Sequence, residues 1–163
     1  MATTKPGAPQ TRLPQDLRES TAFLLKRLGV AAKERAAEVF EETGLTPYHF
    51  AVMLVLAEDS HETQGAIADA LGYDRGQLVG LLDELEERGL VERRRDPVDR
   101  RRQLVSTTPA GKRELARLRA LSRTLENELL GPLDDRQREE LHDLLILLAE
   151  SHLPAFGGRK LGG

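Results

Sequence analysis

Six arginines, Arg93, Arg94, Arg95, Arg100, Arg101 and Arg102, fall between Val91 and Arg102, and no lysine is among them. The chemistry open to such a cluster is recognition of phosphate oxygens or of a narrow groove, because a guanidinium is a rigid planar fork and an ammonium is not. Against Glu92, Asp96 and Asp99 the segment carries +3 in a chain whose total is −3, so the remainder carries −6. The positive charge is concentrated. Alone, a basic run reads equally as a solvated loop, so its setting decides. Val91–Arg95 and Gln103–Thr108 are β-prone, and Asp96-Pro97-Val98-Asp99 between them has turn chemistry. The arginines are therefore expected on an antiparallel hairpin, a wing.

A second group lies upstream. Asp74 can cap a helix in which Leu78, Leu81, Leu82 and Leu85 form an i, i+3, i+4, i+7 stripe. Packing that stripe inward turns Arg75, Gly76, Val79, Gly80 and Asp83 outward, with Gln77 beside them. Arg and Gln make bidentate bonds to guanine and adenine edges, so the first turns are expected to touch bases. Asp83, Glu84, Glu86 and Glu87 in the second half should avoid phosphates. A short helix at Gln64–Leu71, capped by Thr63 and stopped by Gly72, precedes it and adds Gln64 to the candidates. Two short helices joined by a glycine turn are a helix-turn-helix, whose second helix enters the major groove.

The rest of the chain must position these groups. Residues 1–12 hold little to bury and read as a flexible arm. From Pro14 to about Thr43 the apolar positions recur at three- and four-residue steps, one long helix that Gly44 stops. Thr46-Pro47 opens a helix to about Glu58 that is apolar nearly all round, hence central, and Asp59–Glu62 reads as a polar loop. Thr108-Pro109 opens a helix bearing Leu115, Leu118, Leu121, Leu125 and Leu129, ended by Gly131-Pro132. Asp134 with Gln137 resembles a capping box for a last helix whose Leu141, Leu144, Leu145, Ile146, Leu147 and Leu148 exceed one narrow face. That excess implies a homodimer, with two-fold symmetry to match a palindromic site. The fold expected is mainly α with a small β-hairpin wing: a winged helix-turn-helix lobe over 45–108, long dimerisation helices in 13–44 and 109–153, and a loose tail at 154–163.

Composition narrows the function classes. A length of 163 residues suits one domain, and the absence of cysteine removes disulfides, thiolate metal sites and thiol switches. No apolar leader or span occurs in the sequence, so a cytoplasmic protein without membrane contact is expected. His49, His61, His142 and His152 are scattered, and no phosphate loop, nucleophile elbow or metal signature occurs. Neither an enzyme nor a cofactor or metal is expected.

Read together, GAIADALGYDRGQLVGLLDELEERGLVERRRDPVDRRRQLVSTTPAG resembles the MarR family of winged-helix transcriptional regulators over roughly residues 15 to 151, most specifically in DPVDRRRQLVSTTPAG. The resemblance implies a homodimer on double-stranded operator DNA, more often a repressor, with the helix from Asp74 in the major groove and the wing in the adjacent minor groove. It places Asp99 where the family's wing aspartate orients the tip, Arg101 or Arg100 where a tip arginine enters the groove, and Arg75 and Gln77 where bases are commonly met. Gly80, Val79 and Glu84 depart from the arginine, Ser or Thr, and basic residues frequent at their positions, which shifts base contact toward Arg75, Gln77 and the wing.

The family's release by small aromatic, often phenolic, anions would make Phe23, Tyr48, His49 and Phe50 the candidates here; singly, each also reads as a core or interface residue. A second class remains open, a winged-helix module that binds proteins and not an operator, favoured only by the acidic second half of the reading helix.

Overall fold

A computed structural model of the chain describes residues 13–58, 62–153 and 156. The expected arm at 1–12, His61 and most of the expected tail lie outside the described residues. The chain divides into two compact units, residues 1–35 and 36–163.

In the first unit the single long helix expected from Pro14 is two. Helix α1 (Gln15–Glu19) ends at Ser20, whose extended backbone (φ −80°, ψ 108°) breaks the spiral, and α2 (Thr21–Glu41) starts after it. The Ser20 hydroxyl accepts the backbone N–H of Phe23 at 3.2 Å. Serine competes with the helical backbone in this way and so favours a start over an interior position. Leu17, Leu24, Leu25, Leu28 and Val30 of this unit are all exposed.

The second unit follows the expected order. Helix α3 (Pro47–Glu58) is central: Val52, Met53 and Leu56 are buried against Phe40, Ile67, Leu82, Val105 and Leu118 of the surrounding core. Helix α4 (Gln64–Leu71) starts at Thr63, whose hydroxyl accepts the Ala66 N–H at 3.2 Å, and α5 (Arg75–Glu87) starts at Asp74, whose Oδ1 accepts the Gly76 and Gln77 N–H groups at 2.8 and 3.1 Å. Leu78, Leu81, Leu82 and Leu85 are buried as the stripe requires, each worth about 1.5–3 kcal/mol of burial. Gly44 and Gly72, two of the glycines expected to stop helices, and Gly89 after α5 adopt φ of 64° to 68°, a left-handed conformation that a Cβ disfavours.

Strands β2 (Val91–Arg95) and β3 (Gln103–Thr107) pair antiparallel, with Val91 opposite Thr107 and Arg95 opposite Gln103. A third strand, β1 (Glu62–Thr63), pairs with β3 where a loop was expected, giving the order β1-β3-β2. Two residues are too few for a periodicity to show. Helix α6 (Pro109–Leu129) sends Leu115 and Leu118 into the same core, so its first half belongs to the winged-helix lobe. The Thr-Pro-Ala-Gly start has a packing reason: Thr108 Oγ1 donates to the Gly89 carbonyl at 2.6 Å and accepts the Gly111 N–H at 3.0 Å, while a Cβ on Gly111 would collide with the Leu90 carbonyl oxygen. Helix α7 (Asp135–His152) carries the full capping box of Asp134 and Gln137 but buries no residue, leaving Leu144 and Leu147 60% and 61% exposed. No described helix is long and apolar enough to cross a membrane.

Candidate nucleic-acid interface

The outward face of α5 changes character halfway along. Arg75 and Gln77 are exposed, and no described residue pairs with either side chain. Gly76 sits beside the Asp74 cap, and Gly80 opens onto free space, so the backbone of the first turns is bare. Gln64 and Gly65 of α4 border a notch of about 140 Å³ with Arg75, Leu78 and Val79. The candidates on the two helices are thus brought to one surface.

The hairpin tip is fixed by its own aspartates. Asp96 Oδ1 accepts the Val98 N–H at 2.7 Å and Asp99 Oδ1 accepts the Arg101 N–H at 3.1 Å, while the backbone N–H of Arg102 donates to the Asp99 carbonyl at 2.9 Å. These are local side-chain to backbone bonds of the kind that lets aspartate shape a turn. Arg95, Arg100 and Arg101 are exposed without a side-chain partner among the described residues; Arg102 approaches Asp99 at 3.5 Å, and Arg94 meets Glu92 at 3.1 Å on a solvated edge. Such exposed pairs are weak, so these arginines remain available to an anion.

Arg93 is different. Its Nε donates to Glu86 Oε2 at 2.9 Å, its Nη2 reaches both Glu86 and Asp83, and its backbone N–H donates to Glu86 Oε1 at 3.1 Å. The side chain is only 19% exposed. The hydrogen bond from Arg93 holds the Glu86 carboxyl below its usual range, and the same bond raises the Arg93 guanidinium. Arg93 was among the expected DNA contacts, yet its guanidinium is engaged inside the protein. A signal for this was present: side chains alternate across a strand, and Arg93 shares a face with buried Val91, so it must point at α5 and find an acid there.

Of the remaining acidic positions of α5, Glu84 has a partner, and the residue just past the helix is engaged as well. Arg88, just past the helix, donates to the Thr43 and Gly44 carbonyls at 3.3 and 2.7 Å, anchoring the α2–α3 turn. Glu84 faces His49, whose side chain is 3% exposed. Nδ1 accepts the backbone N–H of Thr46 at 3.0 Å, so the neutral ring carries its proton on Nε2, which lies 3.1 Å from Glu84 Oε2 but off the line of a hydrogen bond. Burial pulls the His49 pKa down, opposed by Glu84 and seconded by Arg88.

The four aromatic-site candidates do not form one cluster in the second unit. Phe50 packs against Phe40 at 5.6 Å between ring centroids, on the core side of α3. Tyr48 is exposed and meets Tyr73 edge-on at 5.6 Å, in the turn between α4 and α5. Phe23 is a half-buried residue of the first unit. Tyr73 was not singled out in the sequence, because nothing in its spacing ties it to Tyr48.

Comparison with known proteins agrees with this geometry. The sequence profile of the MarR family matches residues 43–102. The putative transcriptional regulatory protein for the hcr operon of Thauera aromatica is 34% identical over 136 residues, which span 82% of each chain. Among solved structures, the transcriptional repressor CouR bound to a 23-mer DNA duplex is similar with a TM-score of 0.78 and 34% identity, covering 85% of this chain and 99% of that one. CouR from Rhodococcus jostii RHA1 bound to p-coumaroyl-CoA gives 0.71 and 29%, over 83% and 96%.

Proposed function

The chain belongs to the MarR family of DNA-binding winged-helix transcriptional regulators, and from that premise we propose that it acts as a homodimeric repressor of a pseudo-palindromic operator, released by a small aromatic ligand. The observation that carries the reading is the outward set formed by Arg75 and Gln77 at the start of α5 together with Arg95, Arg100 and Arg101 on the wing, all without a side-chain partner among the described residues, and Arg102, held only by an exposed approach to Asp99. Gln64, Gly76 and Gly80 let the duplex approach closely, Asp99 orients the tip, and Arg93 is left to the interior. The first turns of α5 would read base edges in the major groove while the wing follows phosphates into the minor groove.

Dimerisation is supported by α7, whose exposed leucines are left uncovered by the described residues. Two copies would present two α5 helices about one helical turn of DNA apart. Release by a ligand is supported by CouR, which is similar to this chain and was crystallised with p-coumaroyl-CoA. Tyr48 and Tyr73 would offer a paired aromatic surface beside α5, and His49 would pass a change at α3 to α5 through Glu84.

Selection of bound sequences from random duplexes tests the reading. Enrichment of an inverted repeat bound by two chains per duplex is expected; recovery of unrelated sequences would contradict it. With that operator in hand, p-coumaroyl-CoA and simple phenolic acids should lower its affinity in the native chain and lower it less in Tyr48→Ala.

A further inference from the structure

One wing arginine turns inward, and its setting is odd for a protein that meets DNA. Arg93 sits midway along β2, opposite Val105 of β3, and is held by Glu86 and Asp83 of α5. The three side chains sum to −1 next to the surface expected to face phosphates. On charge alone, such a cluster repels a nucleic acid. A two-stranded ribbon also twists freely along its length, more so than a wide sheet. The base of this ribbon is secured by the Thr108 and Gly111 contacts with Gly89 and Leu90, and β1 flanks only Leu104 and Val105 of β3. Beyond that point Arg93, through its guanidinium and its backbone N–H, supplies the described hydrogen bonds that tie β2 to the helix it must work beside.

We propose that Arg93 and Glu86 are a positioning pair that sets the angle between wing and reading helix, so that the tip arginines and Arg75 engage one duplex together. Glu86 accepts both the backbone N–H and the side chain of Arg93, which fixes the strand and not just the tip of a long side chain. Asp83 accepts from the same Nη2 that donates to Glu86 and limits the rotation of the guanidinium. The acidic half of α5 is then a hinge stop built from charges that DNA binding would otherwise disfavour. The inference rests on the reading of α5 and the wing as the DNA-facing surface.

The sign of one substitution separates this role from a direct one. Glu86→Gln removes a negative charge near the duplex while leaving an acceptor for the Arg93 N–H. A cluster without a positioning role would let Glu86→Gln bind operator as well as the native chain or better. The positioning role requires weaker binding, by about tenfold, the size of one lost groove contact. Arg93→Gln should weaken binding similarly, and the double variant should be no weaker than either single change. Arg101→Ala should cost less in the Glu86→Gln background than in the native one, because a misplaced wing has less to lose; a purely structural role would not couple the two. Asp83→Asn, which leaves the Glu86 bonds intact, should give the same sign at smaller size, and thermal melts identify any variant that fails to fold. Binding by Glu86→Gln equal to or tighter than native, or an unchanged Arg101→Ala cost, would overturn the proposal. Failure of the native chain to prefer any duplex would instead overturn the reading beneath it.

Discussion

The two halves of α5 share one helix and one leucine stripe, yet their outward faces are opposite in use. The first half keeps Arg75 and Gln77 without partners, whereas the second half assigns Glu84 to His49, Asp83 and Glu86 to Arg93, and passes to Arg88 at the α2–α3 turn. Charge sign therefore does not tell what a helix face does; partnership does. Carboxylates that looked like a surface for another protein are mostly internal ties, and the residues left over are the ones with hydrogen bonds still to make.

The largest change that would disturb both halves is Leu82→Ala, since Leu82 is fully buried beneath them. It should cost about 2–5 kcal/mol of stability, read by denaturant unfolding, and DNA binding should fall with the fold. Arg75→Ala should separate the halves: a loss of about 1–3 kcal/mol at the preferred site, with blurred base preference and an unchanged melt. If preference survived, the first turns would not be the reading surface.

Acid should act on the second half. Because burial depresses the His49 pKa in the folded chain below the ordinary 6.5, the unfolded chain binds the proton more readily. Its contribution to stability is therefore complete above about 6.5 and is lost as pH falls from there through the depressed folded value. Melting temperatures of the native chain should drop over that range more steeply than those of His49→Gln. Equal slopes would remove His49 from the account. The smallest effect is expected at Glu87, exposed and without a partner among the described residues: Glu87→Gln should shift stability by less than about 0.5 kcal/mol and leave operator binding intact, marking it as the acidic residue of α5 that ties nothing.

Much of this was legible in the sequence because the signals were local. Asp74, Thr63 and Thr108 sit where caps belong, the leucines of α5 keep helical spacing, and the wing strands end within a residue of where their β-prone runs end. Thr108, read both as the end of the second strand run and as the start of the next helix, is the cap of α6, and the strand ends one residue earlier. The family resemblance was carried by the same local stretch, and the fold and DNA-binding class followed from it. What stayed hidden depended on geometry between elements. The Ser20 break turns on one residue's backbone, β1 is too short to show alternation, and Arg93 finds its acids only once the hairpin leans on α5. His49 looked like a candidate on a ligand surface because its type and aromatic neighbours were visible while its burial was not.

The central claim is that α5 and the wing read a specific duplex, and fluorescence anisotropy tests it most directly. The purified chain is titrated onto its own upstream intergenic DNA and onto scrambled DNA of equal length at increasing salt. The account requires tight binding by two chains per duplex that persists at physiological salt on the native fragment alone, with a salt slope shallower by about one unit in Arg101→Ala. Equal binding to both fragments at every salt, with the slope unmoved by that substitution, would contradict it.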